Sequence, residues 1–72
     1  MTTGERIKAT RIDLDMTQAQ LAAALGIPQQ QYSRYETGKN EIPARYLEKI
    51  SLILGVSSDY LLGLPPGLSR PR

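Results

Sequence analysis

The sequence contains no cysteine, no histidine, no tryptophan and no phenylalanine. Without cysteine there can be no disulfide framework, and without cysteine or histidine there is no thiolate or imidazole metal site. We therefore expect neither a metal ion nor a cofactor. The 72 residues allow a single domain, and its core must be held by packing alone or with help from a partner chain.

Long apolar runs are missing as well. No stretch approaches the ~20 residues that a membrane helix needs, and the N-terminal residues 1–5 lack the apolar segment of a signal peptide. With 40% hydrophobic and 22% charged residues, the composition is typical of a globular chain. We expect a cytoplasmic protein with no membrane partner.

The chain also lacks a strong excess of positive charge. Of nine basic residues, two are Arg70 and Arg72, so residues 1–69 carry seven basic groups against seven acidic ones. A strongly basic domain is the usual mark of a nucleic-acid binder. Any argument for nucleic-acid binding must therefore rest on where the charges lie.

The residues of most catalytic sites are absent too. There is no histidine base, no cysteine nucleophile and no glycine-rich phosphate loop. Asp13 and Asp15 are close in sequence, but helical spacing turns them to different faces. We expect that the chain is not an enzyme.

Glycine and proline divide the sequence into short helical stretches, and the alternation of apolar and polar residues that is typical of a strand is not found. The predicted fold is all-α, a compact five-helix domain over residues 3–63. Residues 64–72 hold three of the five prolines, which predicts an extended or disordered tail. The predicted helices run from Gly4 or Glu5 to about Leu14, from an N-cap at Thr17 to Leu25, from about Pro28 to Glu36, from about Pro43 to Leu54, and from Ser58 to Leu62.

The first predicted helix carries a charge on its apolar face. Ile7, Arg11 and Leu14 share that face at i, i+4 and i+7, so Arg11 needs a partner. Asp15 lies where the helix should end, and aspartate tolerates the left-handed conformation that such a position requires.

The second and third helices form a recognisable pair. Residues 17–20 fit a capping box, Ala22 is small where two helices must approach, and Gly26 fits the turn between them. Two short helices joined by a glycine-containing turn have the shape of a helix-turn-helix. On the third helix, Tyr32 and Tyr35 fall on one side with Gln31. The opposite side is polar, contains no acid, and consists of Gln29, Gln30, Ser33, Arg34 and Thr37.

Residues 7–63, taken together, resemble the helix-turn-helix domain of the lambdoid phage repressor and Cro family, also called the xenobiotic response element family. Four segments carry this resemblance, namely residues 16–22, 25–27, 32–39 and 54–63. The residues of these segments resemble those of small bacterial or prophage-borne transcriptional regulators. The chain departs from the family's usual residues at Thr10, Asp15, Pro28, Tyr32 and Ser51. Of these, Thr10 and Ser51 indicate a thinner core than usual.

The resemblance implies a recognition helix in the major groove of double-stranded DNA. The implied base contacts are Gln29, Gln30, Ser33 and Arg34, and the implied phosphate contacts are Gln18, Thr37, Lys39 and Asn40, with Arg45 as a further candidate. The chemistry agrees, because glutamine can pair with adenine and arginine with guanine through two hydrogen bonds. The resemblance also pairs Arg11 with Glu36 as a structural salt bridge. We assign Tyr32 to the core, with a hydroxyl able to reach a phosphate.

Each of these assignments has an ordinary alternative. The glutamine run can be a solvated helix face, Arg34 can form a surface ion pair with Glu41, and Lys39 and Asn40 can be normal turn residues.

Two functions compete. The first is a transcriptional regulator, a repressor that binds an inverted repeat as a homodimer; the second is a protein-interaction module such as the antitoxin of a toxin–antitoxin pair. For either, the expected interface is the apolar cluster Leu61, Leu62, Leu64 and Leu68.

Overall fold

The computed structural model describes residues 1–65 and contains five α-helices with no strand within that range. The all-α, five-helix prediction is confirmed. The helices are α1 (Thr3–Asp13), α2 (Gln18–Leu25), α3 (Gln29–Thr37), α4 (Ala44–Leu54) and α5 (Ser58–Leu62). Of the expected tail, residues 66–72 lie outside the described residues, so the domain boundary after residue 63 stays a prediction.

Helix α1 begins earlier than predicted because Thr2 caps it. The Glu5 N–H donates to Thr2 Oγ1 at 3.1 Å, and the Thr2 N–H donates to Glu5 Oε1 at 2.7 Å. These hydrogen bonds lower the pKa of Glu5. The pair forms a second capping box, which satisfies two backbone donors at the first turn.

At the other end of α1, one prediction is wrong. Leu14 was expected on the buried face with Ile7 and Arg11, but it is half exposed. The helix ends at Asp13, so Leu14 lies at the C-cap and no longer follows the helical face. Asp15 has a φ of +56°, which confirms its predicted left-handed conformation.

The helix-turn-helix forms as its caps predict. Thr17 accepts from the backbone N–H of Gln20 at 3.0 Å, and the Gln20 side chain accepts from the Thr17 N–H at 2.9 Å. Gly26 ends α2 with a φ of +73°, a conformation in which a side chain would be strained. This turn sends the chain directly into α3, which packs against both α1 and α2.

The core lies where α1 meets α3 and α5, and where α2 meets α3 and α4. Its apolar members are Ile7, Leu21, Ala22, Leu25, Tyr32, Tyr35, Leu47, Ile50, Leu54 and Leu61. Gly4 allows a close contact between α1 and α3, since a Cβ there would lie 2.5 Å from the Tyr35 carbonyl oxygen and closer still to that of Glu36. The N-terminal turn of α1 is therefore pressed against the end of α3.

The structure corrects one member of the predicted apolar interface. Leu61 is fully buried in the core and cannot contact a partner chain. Leu62 and Leu64 are exposed, and Leu68 lies outside the described residues. The reason is the rotation of α5 about its axis, because α1 and α4 pack against this helix and Leu61 faces the core.

Within residues 1–65, every helix is too short or too polar to span a membrane.

Candidate nucleic-acid interface

Helix α3 has one buried side and one polar side, arranged as the helical wheel predicts. Tyr32 and Tyr35 are buried. The polar side chains on the opposite side are exposed, apart from Ser33, which is half-buried: Gln29, Gln30, Ser33, Arg34 and Thr37. The residues implied as base contacts thus share one accessible surface, and their contact with bases stays a prediction.

Two tyrosines hold this helix in place. The Tyr35 ring packs at 6.1 Å, centroid to centroid, from the Tyr46 ring of α4, and its hydroxyl accepts a hydrogen bond from Gln31 Nε2 at 2.9 Å. Tyr32 has no exposed surface at all. Fixing both rings in the core fixes the direction in which the opposite side of α3 points.

The two ends of α3 are open to a polar ligand. Pro28 stands at the N-cap and provides no side-chain acceptor for the first N–H groups. After Thr37, Gly38 turns the chain with a φ of +80°, and the Asn40 N–H donates back to the Arg34 carbonyl oxygen at 3.2 Å. This turn leaves Lys39 and Asn40 exposed immediately beside the polar side of α3.

The cations of this surface are available for a ligand. Among residues 1–65, neither Arg34 nor Glu41 forms an ion pair within 4.0 Å, so the two are not paired with each other. Arg45 lies 4.7 Å above the centre of the Tyr46 ring. A guanidinium on an aromatic face keeps its N–H groups free to donate elsewhere.

Glu36, at the end of α3, gathers donors from three helices. Arg11 donates to it twice, from Nε at 2.7 Å and from Nη2 at 3.2 Å, which confirms the salt bridge. Gln18 donates from Nε2 at 3.0 Å, and the Tyr32 hydroxyl donates to the second carboxylate oxygen. Arg11 also donates to the Met16 carbonyl oxygen at 2.7 Å. We call Arg11, Gln18, Tyr32 and Glu36 the Glu36 cluster.

The cluster keeps Glu36 ionised. Burial raises the pKa of Glu36, but the hydrogen bonds from Arg11, Tyr32 and Gln18 outweigh burial and lower it overall. Burial and the hydrogen bond to Glu36 raise the pKa of Tyr32 well above its usual range. The Tyr32 hydroxyl is therefore a committed donor inside the core, and its predicted role as a phosphate contact is wrong.

Sequence reasoning found the Arg11–Glu36 pair and missed its two neutral partners. One signal was present for Tyr32, because Tyr32 and Glu36 stand four residues apart and so share a helix face. No local spacing could link Gln18 to Glu36, since they meet only once α2 and α3 have packed. Gln18 was assigned to a phosphate, and the structure shows it half-buried with one donor already used.

Comparison with known proteins matches residues 7–61 to the helix-turn-helix family model. The chain belongs to this family. It is 48% identical over 59 residues to an SPbeta prophage-derived, uncharacterised HTH-type transcriptional regulator, YonR, of Bacillus subtilis. It is 41% identical over 64 residues to an uncharacterised HTH-type transcriptional regulator of Sinorhizobium medicae. These matches cover 82% and 89% of this chain but only 55% and 46% of the relatives, so the chain spans about half their length.

Among solved structures, the fold is similar to that of the P22 c2 repressor in complex with synthetic operator 9T. The TM-score is 0.80 at 35% sequence identity, covering 86% of this chain and 94% of the repressor chain. The resemblance to phage repressors stated from the sequence is thereby confirmed. As a member of this helix-turn-helix family the chain is a DNA-binding, regulator-type domain with a repressor-like fold, and not an enzyme, as predicted.

Proposed function

We propose that the chain is the DNA-binding domain of a bacterial or prophage-borne transcriptional repressor, which acts in the cytoplasm and binds an inverted repeat as a homodimer. The observation that carries this proposal is the polar side of α3, which is exposed, free of acidic residues and flanked by unpaired cations. The P22 c2 repressor, which has the same fold, was crystallised with an operator. Prophage origin is supported by the similarity to a prophage-derived regulator.

For base contacts we propose Gln29, Gln30, Ser33 and Arg34. Each has a side chain that can donate or accept at a base edge. The shared exposed side of α3 allows all four to enter one groove. Because Ser33 is half-buried, its short side chain contacts DNA only when the helix lies deep in the groove.

For phosphate contacts we propose Gln18, Thr37, Lys39, Asn40 and Arg45. Lys39 and Asn40 follow α3 on the turn at Gly38, and Arg45 stands in the first turn of α4. These positions lie at the ends of helices that flank the polar side of α3, which suits contacts to the backbone on either side of a groove.

The dimer would use Leu62 and Leu64, the two exposed leucines at the end of the described chain. Two recognition helices about 34 Å apart, one turn of DNA, would contact two half-sites. A single small module buries little DNA surface, so pairing is the expected route to specificity.

Selection of bound duplexes from a random pool tests the proposal directly. We expect an inverted repeat to be enriched. If Lys39 and Arg45 each neutralise a phosphate in both protomers, the logarithm of affinity falls with the logarithm of salt concentration at a slope of about −3.6. Affinity then drops about 150-fold between ~50 and ~200 mM salt. Binding with no sequence preference and no salt dependence would instead favour an interaction module.

The dimer surface needs its own test. Leu62→Asp should convert binding of the full repeat into weaker binding of single half-sites, because a charge would be buried between protomers. Leu52→Asp is the matched control, since Leu52 is 76% exposed on α4 and is not in the proposed surface. Equal footprints for the parent and Leu62→Asp would rule out this interface.

A further inference from the structure

Gln18 makes a contact that the phosphate assignment does not require. Its Nε2 donates to Glu36 Oε1 at 3.0 Å, although Gln18 stands at the first position of α2 and Glu36 near the end of α3. A glutamine amide has two chemically different ends, one a pure donor and the other a pure acceptor. Which end faces a phosphate decides whether the contact attracts or repels it.

Glu36 decides between those two ends. Its carboxylate is ionised and therefore only accepts hydrogen bonds, so only the NH₂ end of Gln18 can lie against it. Each carboxylate oxygen already receives two donors: Arg11 and Gln18 on Oε1, Arg11 and Tyr32 on Oε2. The amide cannot flip without placing its oxygen against a buried negative charge.

The NH₂ group of Gln18 has two hydrogens and uses one of them on Glu36. Among residues 1–65 no other acceptor takes the second. Gln18 and Glu36 also line an open cleft of about 380 Å³ together with Thr2, Glu5, Lys8 and Thr37. Arg11 offsets the charge of Glu36 at 2.7 Å, so the carboxylate does not present an unbalanced negative charge to an approaching anion.

We infer that Glu36 is a positioning residue for DNA binding: it holds the Gln18 amide with its remaining N–H available to a backbone phosphate. This inference rests on the proposed function and deepens it by giving the buried carboxylate a role in binding. A carboxylate that served stability alone would be satisfied by Arg11 and Tyr32, and would have no effect on affinity through Gln18.

A double-mutant cycle tests the inference with the full chain and the duplex recovered by selection. Gln18→Ala should weaken binding about tenfold for each protomer, and therefore about a hundredfold for a dimer on the full repeat, as expected for loss of one hydrogen bond to a charged group per half-site. Glu36→Gln should weaken binding of the folded protein by a smaller factor, because an amide at residue 36 accepts either end of Gln18 and no longer holds its N–H toward the phosphate. In the Gln18→Ala background, Glu36→Gln should have no further effect on affinity.

Tyr32→Phe is the matched control, because it removes another donor from the same carboxylate without touching Gln18. It should lower the melting temperature and leave the affinity of the folded protein unchanged. Additive losses in the cycle, or an equal loss of affinity in Tyr32→Phe, would overturn the inference. A parent chain that prefers no duplex would instead contradict the proposed function itself.

A spectroscopic measurement keeps the inference testable if Glu36→Gln fails to fold. In ¹⁵N–¹H spectra of the free parent protein, the side-chain NH₂ of Gln18 should show two well-separated proton shifts that respond to acid titration of Glu36. Adding the selected duplex should then change the chemical shift of the Gln18 NH₂ proton that is not hydrogen-bonded to Glu36. Gln20, whose side-chain oxygen is used by the cap while its NH₂ is not, is the reference. A Gln18 pair that behaves like that of Gln20 would overturn the inference.

Discussion

Replacing Arg11 with methionine is the most informative perturbation of the fold. Methionine keeps much of the apolar stem of the side chain and removes three hydrogen bonds, two to Glu36 and one to the Met16 carbonyl oxygen. Glu36, only 5% exposed, would keep two neutral donors and lose its counter-charge. Removing one partner of a buried ion pair typically costs ~3–5 kcal/mol.

That loss is large for so small a domain. At roughly 0.05–0.15 kcal/mol per residue, 72 residues give a free energy of unfolding of about 4–11 kcal/mol. For a domain of this size each kcal/mol shifts the melting temperature by about 4–8 °C. We therefore expect Arg11→Met to melt about 12–40 °C below the parent, and to be partly unfolded at room temperature if the parent lies at the low end.

Thermal and urea unfolding, followed by far-ultraviolet circular dichroism, measure this loss. Arg45→Met is the matched control, because it makes the same replacement at an exposed guanidinium that lies over the Tyr46 ring. An exposed contact of that kind contributes about 0.5–1 kcal/mol. If Arg11→Met cost no more than Arg45→Met, the stabilising role assigned to the buried pair would be refuted.

The pH dependence of the same variant separates charge from packing. In Arg11→Met the buried carboxylate loses its partner, so acid should protonate it readily and relieve the penalty. The stability deficit should therefore narrow between pH 7 and about pH 4. A deficit that stayed constant over this range would mean that lost packing, and not an unpaired charge, is responsible.

Three further predictions follow from the structure. The folded-state pKa of Glu36 is lowered and that of Tyr32 is raised, so the free energy of unfolding should fall as acid protonates Glu36 and should also fall above about pH 10, where only the unfolded chain ionises Tyr32. Urea titrations across pH measure both effects, and Tyr32→Phe should lose the decrease above about pH 10. Arg34→Ala should relax preference at one base pair, while Lys39→Ala should weaken all sequences alike; binding to a panel of single-base variants distinguishes them, and an unchanged preference in Arg34→Ala would contradict our base-contact surface. Gly4→Ala should destabilise the domain by ~1–3 kcal/mol despite the better helix propensity of alanine, because the added Cβ meets backbone oxygens of α3. If the variant and the parent unfolded at the same urea concentration, α1 could shift without a loss of stability.

Local signals in the sequence predicted the helices because their ends are set locally. Thr17 and Ser57 cap the helices that follow them, and Gly26, Gly38 and Gly55 end the helices before them in left-handed conformations. Each of these signals acts within a few residues of itself. Helix α1 begins earlier than Gly4 because Thr2 and Glu5 form a capping box, and the spacing of that box is present in the sequence.

The errors concern which side chain faces inward, and tertiary packing decides that. A helix as short as α5 has too few residues for periodicity to distinguish Leu61 from Leu62, and the packing of α1 and α4 against α5 decides which of them faces inward. Leu14 was assigned inward because its spacing from Ile7 assumes one more residue of helix than α1 has. The role of Gln18 in the Glu36 cluster likewise depends on a contact between two helices.

Helix α3 separates two demands that DNA binding places on one element. Its buried strip of Tyr32, Tyr35 and Glu36 ties it to the neighbouring helices, and substitutions there disturb the fold. Its exposed strip contacts nothing that holds the domain together, so substitutions at Gln29, Gln30 or Arg34 should change unfolding free energy by only ~0.5 kcal/mol or less. Substitutions in the exposed strip can therefore change sequence preference while the buried strip maintains stability. Gln18 is the exception, because it meets both the carboxylate at the centre of the buried strip and, by our inference, the DNA. A change at Glu36 should consequently alter affinity and stability together, whereas a change at Arg34 should alter DNA binding and leave stability unchanged.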